Sequence, residues 1–447
     1  MKIWSRCGIA CSRAVRRRQT RDDGRIVVCL NSRNAFTTPG PTLILNLPRS
    51  GTLVKIVTHK SEPEHRGIHA CRRGLKTSTL RRSMKAAFRR SIFCSLLGLI
   101  SQVHAAQPPS TEPALGTYHW PNGKAGVDAF AAWLGRPSVW ALDFIGGESW
   151  DNVAYPTWWL ESWGKWVHAQ PGRRLVLAVP ILAGPPDGSG PKQGSKGVGE
   201  PVSLEKGAHG DYNAYFHDLA ENLVRYQLAD TILRPAWEFN GGWYPWHAKG
   251  KAEAFAEYWR QIVKTMRAVP GTENLKFCWN PTLGEQDFPA DQAWPGDEYV
   301  DFVGLDVYDE TWNADTYPWP ATATAAEIEA RHRKVWNEWI LNSQRGLVFW
   351  AKFASDHHKP LAIPEWGLND ADHGHGGLDD PYFIEQMHAF FHDPANHVAF
   401  QCYFDVNAPE GRHQLSPGVP GTGKQEGTEF PQSAAKFREL FGAAPTK

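Results

Sequence analysis

Cysteine is scarce in the part of this 447-residue chain that reads as folded protein. Of the seven cysteines, Cys7, Cys11, Cys29, Cys71 and Cys94 precede residue 105, leaving Cys278 and Cys402. Each of these two sits inside an apolar, strand-like segment, so buried free thiols are expected rather than a disulfide framework, although export would permit a bridge. A long hydrophobic run is missing too: the apolar stretch from Ser91 to Ile100 is too short to span a bilayer. No internal repeat is visible. Acidic residues are nearly absent from the start of the chain, where the stretch up to Ser83 carries 18 Lys and Arg against Asp22, Asp23, Glu62 and Glu64. It has no sustained apolar periodicity either, and such a stretch cannot bury a core.

Met84 opens a different pattern, MKAAFRRSIFCSLLGLISQVHAAQ. Lys85, Arg89 and Arg90 precede the short apolar run, and Val103 and Ala105 stand at small-residue cleavage positions, as in a secretory signal peptide. Cys94 lies at the start of the run, which argues against a lipid anchor. An export signal has to be N-terminal to be read, so Met84 is taken as the true start. Residues 1–83 then read as a disordered, non-native upstream extension, 84–105 as the signal peptide, and 106–447 as one catalytic domain of an exported protein. The competing reading of residues 1–83 is a basic, nucleic-acid-binding tail. Removing residues 1–105 takes away 21 of the 48 Lys and Arg but four of the 47 Asp and Glu, leaving a net charge of −16. That balance disfavours nucleic acid and anionic membrane as partners. Twenty of the 21 tryptophans lie in the remaining part, more than a core requires, as though flat-faced ligands were to be stacked.

From Gln107 onward, strand-like and helix-like runs alternate. The strands read as Gly116–Trp120, Ser138–Gly146, Arg174–Leu182, Thr231–Glu238, Leu275–Asn280, Val300–Tyr308, Leu361–Glu365 and His397–Val406. The clearest helix runs over Lys251–Val269, with Phe255, Tyr258, Trp259, Ile262, Val263 and Met266 on one face and Pro270 and Gly271 as the stop. Another starts with Asp211 as its N-cap and carries Tyr215, Phe216, Leu219, Leu223 and Val224. Eight such pairs predict an α/β fold, a (β/α)8 TIM barrel, with a doubly wound sheet as the alternative. The Gly, Pro and Lys loop from Gly184 to Pro201 follows the third strand and would sit at the catalytic mouth. Strand alternation puts Ile232, Arg234, Ala236 and Glu238 on one side, and Asp306 with Tyr308 inward while Val303, Leu305 and Val307 face the helices. A buried Arg234 needs a partner, and Asp306 is the natural one.

Two strand ends carry chemistry. LRPAWEFNGGWYPW, Leu233 to Trp246, runs from a strand into Glu238, a glycine turn and an aromatic wall; LAIPEWG, Leu361 to Gly367, ends in Glu365. Paired carboxyls at a barrel mouth suit glycoside hydrolysis, one as nucleophile and one as acid, then base. A shared mouth pushes their pKa values apart: Glu365 is expected ionised, Glu238 protonated by its negative neighbour and by the wall of Trp243 and Trp246. Taken singly, each glutamate could be an ordinary ion-paired strand end. Tyr308 is placed to hydrogen-bond and orient Glu365, or else to fill the barrel top. Trp243, Tyr244, Trp246, Trp312, Trp319 and Trp366 all follow strand ends and read as sugar platforms, whereas Trp150, Trp158, Trp159, Trp163 and Trp166 divide between that role and packing. NDADHGHGGLDD, with His373 and His375, resembles a metal loop, but a polar rim explains it equally well, and no metal or cofactor is expected.

RPAWEFNGGWYPW, PGDEYVDFVGLDVYD (Pro295 to Asp309) and LAIPEWG resemble segments of glycoside hydrolase family 26, the β-mannanase family of (β/α)8 retaining enzymes. The resemblance implies Glu238 as acid/base, Glu365 as nucleophile and Tyr308 as its orienting partner. Trp237, Asn240, Trp243, Trp246, Trp312 and Trp366 are then the candidate substrate-binding residues. One position departs from the family, where the residue before the acid/base is usually histidine; Trp237 can neither accept a proton nor make the same hydrogen bond to a sugar hydroxyl. The expectation is a secreted, monomeric, retaining endo-β-glycanase acting on a polysaccharide or oligosaccharide, with β-1,4-mannan first. β-Xylan, mixed-linkage β-glucan, an exopolysaccharide, and a non-catalytic polysaccharide-binding role stay open.

Overall fold

The computed structural model describes residues 112–121, 123–408, 410–419 and 429–443. The upstream extension and signal peptide, residues 1–83 and 84–105, lie outside the described residues. Apolar segments that alternate with amphipathic ones can bury both faces only if the strands run parallel and the helices cover them. The chain does this with eight strands: β1 (Ala114–Tyr118), β2 (Trp140–Phe144), β3 (Leu175–Val179), β4 (Ile232–Pro235), β5 (Lys276–Trp279), β6 (Phe302–Tyr308), β7 (Leu361–Gly367) and β8 (Val398–Phe404). They close in sequence order into a parallel barrel, β1 pairing with β8. The helices are α1 (Lys124–Trp133), α2 (Trp150–Ala154), α3 (Thr157–His168), α4 (Leu204–Ala208), α5 (Asn213–Arg225), α6 (Ala252–Arg267), α7 (Ala325–Lys334), α8 (Leu347–Asp356), α9 (Pro381–His392) and α10 (Pro431–Phe441). This is the expected (β/α)8 barrel, not the doubly wound alternative. Among the described residues no helix is long and apolar enough to cross a membrane.

The core has two layers, as alternation requires. Leu142, Val176, Ile232, Cys278, Ala362, Phe400 and Cys402 pack together as the small set of inward side chains. Val303, Leu305 and Val307 belong instead to the larger layer under the helices. Both cysteines are buried and free. On α6 the expected stripe Phe255, Tyr258, Trp259, Ile262, Val263 and Met266 is fully covered. Each such side chain contributes about 1.5–3 kcal/mol relative to exposure.

Two expectations need correction, and a third feature was not anticipated. Asp211 does not cap α5: the chain arrives already turning out of α4, with the Asp211 N–H on the Lys206 carbonyl, and α5 begins at Asn213 with no side-chain cap. The fourth strand stops at Pro235, and Ala236 and Glu238 then take left-handed φ values of 51° and 54°. Glu238 therefore owes its direction to this turn rather than to strand parity. In β7 the pairing slips: Gly304 and Asp306 oppose Ala362 and Glu365, so β7 carries one extra residue there. Pro364, which lacks an N–H for the ladder, sits in that bulge. The extra residue turns Glu365 into the barrel and Trp366 outward.

The Gly184–Pro201 loop leaves the C-terminal end of β3, and its Ser195 hydroxyl donates to Asp151 of α2 at 2.9 Å. Its Lys196 Nζ lies 4.5 Å from the Tyr155 ring centroid. The loop is thus fastened across α2 and the residues just beyond it.

Candidate active site

Arg234, Asp306 and Glu365 form the base of the mouth. Arg234 is completely buried on β4 and holds three partners: Nη2 donates to Asp306 Oδ2 at 2.5 Å, Nη1 to Glu365 Oε2 at 3.1 Å, and Nε to Asn280 Oδ1 at 2.8 Å. Burial alone would lower the guanidinium, but the charges of Asp306 and Glu365 outweigh it and raise its pKa above the ordinary value. The Asp306 partner was legible from strand parity. The Glu365 contact was not, because it depends on the β7 bulge.

Glu365 has a second donor. Tyr308, inward at the end of β6, donates its hydroxyl to Glu365 Oε1 at 2.7 Å. Each carboxylate oxygen of Glu365 thus has its own donor on a different strand, which fixes the plane of the carboxyl group.

Glu238 stands across the mouth. Its backbone N–H donates to the Asn280 carbonyl at 2.8 Å, so Asn280 holds both the Arg234 side chain and the Glu238 main chain. Burial pushes the Glu238 carboxyl up to about 7, the charge of Glu365 adds to this, and the Trp243 indole N–H, Arg234 and Thr282 oppose it. The wall expected of Trp243 and Trp246 is therefore corrected. Trp243 Nε1 donates to Glu238 Oε2 at 2.9 Å and so favours the ionised form. Trp246 is buried with its N–H on the Trp237 carbonyl and its ring stacked on Tyr244. Gly241 permits the Trp243 position, since a Cβ there would lie 2.1 Å from the ring.

The remaining sequence candidates separate by burial. Trp243 and Trp312 are 46% and 65% exposed and can meet a ligand face. Trp312 stacks on His375 with centroids 3.9 Å apart and tilts against His373. His375 Nδ1 lies 3.1 Å from the carbonyl oxygens of both Thr311 and Tyr317, and His373 faces Glu310 at 3.4 Å. These histidines of the metal-loop candidate pack against a tryptophan. Among the described residues, the group with metal-holding spacing is His217, Asp218 and Glu221, on the outer helix α5.

Asn240 and Trp366 are corrections. Asn240 is buried, donating from Nδ2 to the carbonyl oxygens of Thr282 at 2.9 Å and Gly284 at 3.5 Å and accepting the Thr282 N–H at 2.9 Å, so it ties the β4 and β5 loops together and both its N–H groups are taken. Trp366 is wholly buried behind β7, stacked on Phe437 of α10 and edge-on to Phe391 of α9. Trp237 is 6% exposed and is edge-on to Phe144. Of the ambiguous tryptophans, Trp150, Trp163 and Trp166 are core, whereas Trp158 is 77% exposed. The sequence reading missed the aromatic floor of Tyr118, Phe144 and Phe404, in which Tyr118 stacks on Phe404 at 4.9 Å and meets Phe144 edge-on at the same distance. The inward parity of Tyr118 and Phe144 was the available signal.

Residues 202–326 match the family model of glycosyl hydrolase family 26. The matched stretch runs from just before α4 to the start of α7, so it carries Glu238 and Tyr308 and ends before Glu365. The resemblance to family 26 expected from the motifs is thereby shown on that stretch. A mannan endo-1,4-beta-mannosidase of Bifidobacterium adolescentis is 26% identical over 194 residues, which are 40% of this chain and 17% of that protein. Endoglucanase H of Acetivibrio thermocellus is 31% identical over 107 residues, 22% of this chain and 12% of that protein. The chain thus spans less than a fifth of the length of either relative. Among solved structures, a double mutant of the Cellulomonas fimi endo-beta-1,4-mannanase superposes with a TM-score of 0.50 at 19% identity, covering 75% of this chain and 71% of that one. That likeness supports the barrel fold.

Proposed function

We propose that the chain is an exported β-glycanase that cleaves its polysaccharide with retention, Glu365 acting as nucleophile and Glu238 as acid/base. The observation that carries this reading is the asymmetry of the two carboxyls. Glu365 accepts from Tyr308 and from the Arg234 cation, whereas Glu238 is pushed up to about 7 and can hold a proton near neutrality. In the first step a Glu365 oxygen bonds to the anomeric carbon as the glycosidic bond breaks, and the Glu238 proton passes to the departing oxygen. In the second, the Glu238 carboxylate takes a proton from water, whose oxygen displaces Glu365 from the anomeric carbon. Tyr308 holds Glu365 in the plane that attack requires.

β-1,4-Mannan is the first substrate proposed, supported by the family-26 match and the mannanase relatives. Trp237, where the family usually has histidine, keeps β-xylan, mixed-linkage β-glucan and exopolysaccharides in view, and an endoglucanase is among the relatives. The Met84–Ala105 signal pattern supports export. Reducing-sugar release from mannan, xylan, mixed-linkage β-glucan and native exopolysaccharides tests the proposal. Release from one of these, abolished by Glu365→Ala, is expected; no release from any of them by the folded protein would overturn it.

A further inference from the structure

The position before Glu238 poses a chemical problem that the structure answers one turn further on. A hydrogen-bonding group beside the acid/base can reach the sugar hydroxyl next to the anomeric carbon, where contacts strengthen as the ring flattens in the transition state. Trp237 cannot do this. Its one polar atom, Nε1, donates to the Tyr244 hydroxyl at 2.9 Å, and its ring closes against Phe144 with centroids 5.3 Å apart.

Tyr244 is held from two sides. Its ring stacks on Trp246 at 4.6 Å with an interplanar angle of 11°, and Trp237 meets it edge-on at 5.0 Å. A phenol that accepts one hydrogen bond keeps its own proton to donate, and no acceptor for that proton occurs among the described residues. The hydroxyl is not remote from the chemistry either. Tyr244 follows Trp243, whose indole N–H is on Glu238 Oε2, and its hydroxyl holds the indole of Trp237, the residue before that acid. Phe144, on which the Trp237 ring closes, has its centroid 5.7 Å from the Arg234 guanidinium that holds Glu365. Burial raises the Tyr244 phenol well above its ordinary pKa and the charges of Glu238 and Glu365 add to this, in keeping with that position. Trp237 thus fixes the Tyr244 oxygen and leaves the phenol proton for another acceptor.

We propose that Tyr244 is a substrate-contacting donor: its hydroxyl, oriented by the Trp237 indole N–H, hydrogen-bonds the 2-hydroxyl of the sugar bound between Glu238 and Glu365. The phenol takes over the contact that an imidazole at position 237 would make. This rests on the retaining β-glycanase reading of the same site and names the contact that secures its sugar.

The test compares wild type, Tyr244→Phe and the double variant Trp237→Phe/Tyr244→Phe on the 4-nitrophenyl β-disaccharide of the sugar that reducing-sugar release identifies, and on its analogue lacking the 2-hydroxyl of the aryl-bearing ring. Tyr244→Phe is expected to lower kcat/KM on the parent glycoside by roughly 10- to 100-fold, and to leave the rate on the 2-deoxy analogue within about twofold of wild type on that analogue. The double variant has no orphaned indole N–H and is expected to keep the loss on the parent. Equal losses on both glycosides, or recovery of the parent rate in the double variant, would overturn the contact and leave Tyr244 a structural partner of Trp237. No turnover of either glycoside by the folded wild type would count against the function proposed above, and the Tyr244 contact would fall with it. Turnover by wild type with Tyr244→Phe unimpaired would count against Tyr244 alone.

Discussion

Arg234 on β4 and Glu365 on β7 meet across the inside of the barrel, guanidinium Nη1 to carboxylate Oε2, at 3.1 Å. The same guanidinium holds Asp306 of β6. One cation thus joins three strands and balances two buried carboxylates, so the support of the proposed nucleophile and the integrity of the barrel are one structure.

Arg234→Met leaves Asp306 and Glu365 without their cation inside the barrel. Removing one partner of a buried ionic group costs about 3–5 kcal/mol. A fall in unfolding free energy of that size, read from the shift of the urea midpoint, together with loss of turnover, is expected by equilibrium unfolding and steady-state assay. A variant as stable as wild type would mean that the cluster is not ionised.

Tyr308→Phe takes one donor from Glu365 and leaves Arg234 in place. Turnover is expected to fall on the order of 10- to 100-fold, mainly in kcat, with the thermal midpoint little changed. A change confined to KM would show that Tyr308 binds substrate rather than orients Glu365.

In the proposed mechanism Glu238 must carry its proton to assist bond cleavage, and its pKa is pushed up to about 7. As pH rises through that value the proton is lost, so kcat/KM should fall by about tenfold per pH unit on the alkaline side. The Trp243 N–H favours the ionised form. Trp243→Phe removes it, and the alkaline limb should move to higher pH. Movement to lower pH in a pH–rate profile would reverse the assigned role of the indole.

Much of this site was legible from residue order. Alternation placed Arg234 against Asp306 and Tyr308 inward, because the backbone of β6 stays regular around them and parity survives. Parity failed where the backbone departs from a strand. The bulge at Pro364 reverses the side on which Trp366 would be counted, and the left-handed turns at Ala236 and Glu238 aim the acid independently of β4. Asn240 and Trp246 were mistaken for ligand contacts for a related reason: a polar or aromatic residue after a strand end can serve the loop itself, as Asn240 does for Thr282.

Trp366 and Trp312 therefore separate in their effects. Trp366→Ala empties a site between β7 and helices α9 and α10 and should destabilise by roughly 3–5 kcal/mol. Trp312→Ala removes an exposed ring and should leave the unfolding midpoint unchanged while raising KM for polymer about three- to tenfold, equivalent to the ~0.5–1.5 kcal/mol of an aromatic face contact. Calorimetry and steady-state kinetics on both variants decide between core and platform, and an unchanged KM in Trp312→Ala would remove that platform.

The division of labour between Glu238 and Glu365 is tested most directly by azide rescue on an activated aryl β-glycoside. Such a leaving group needs little protonation, so Glu238→Ala should still form the glycosyl–Glu365 bond and then stall, because no base remains to activate water. Azide needs no base, and the account predicts restored turnover with a β-glycosyl azide as product, while Glu365→Ala with azide gives no β-glycosyl azide. A β-glycosyl azide from Glu365→Ala, or wild-type turnover in either variant without azide, would contradict it.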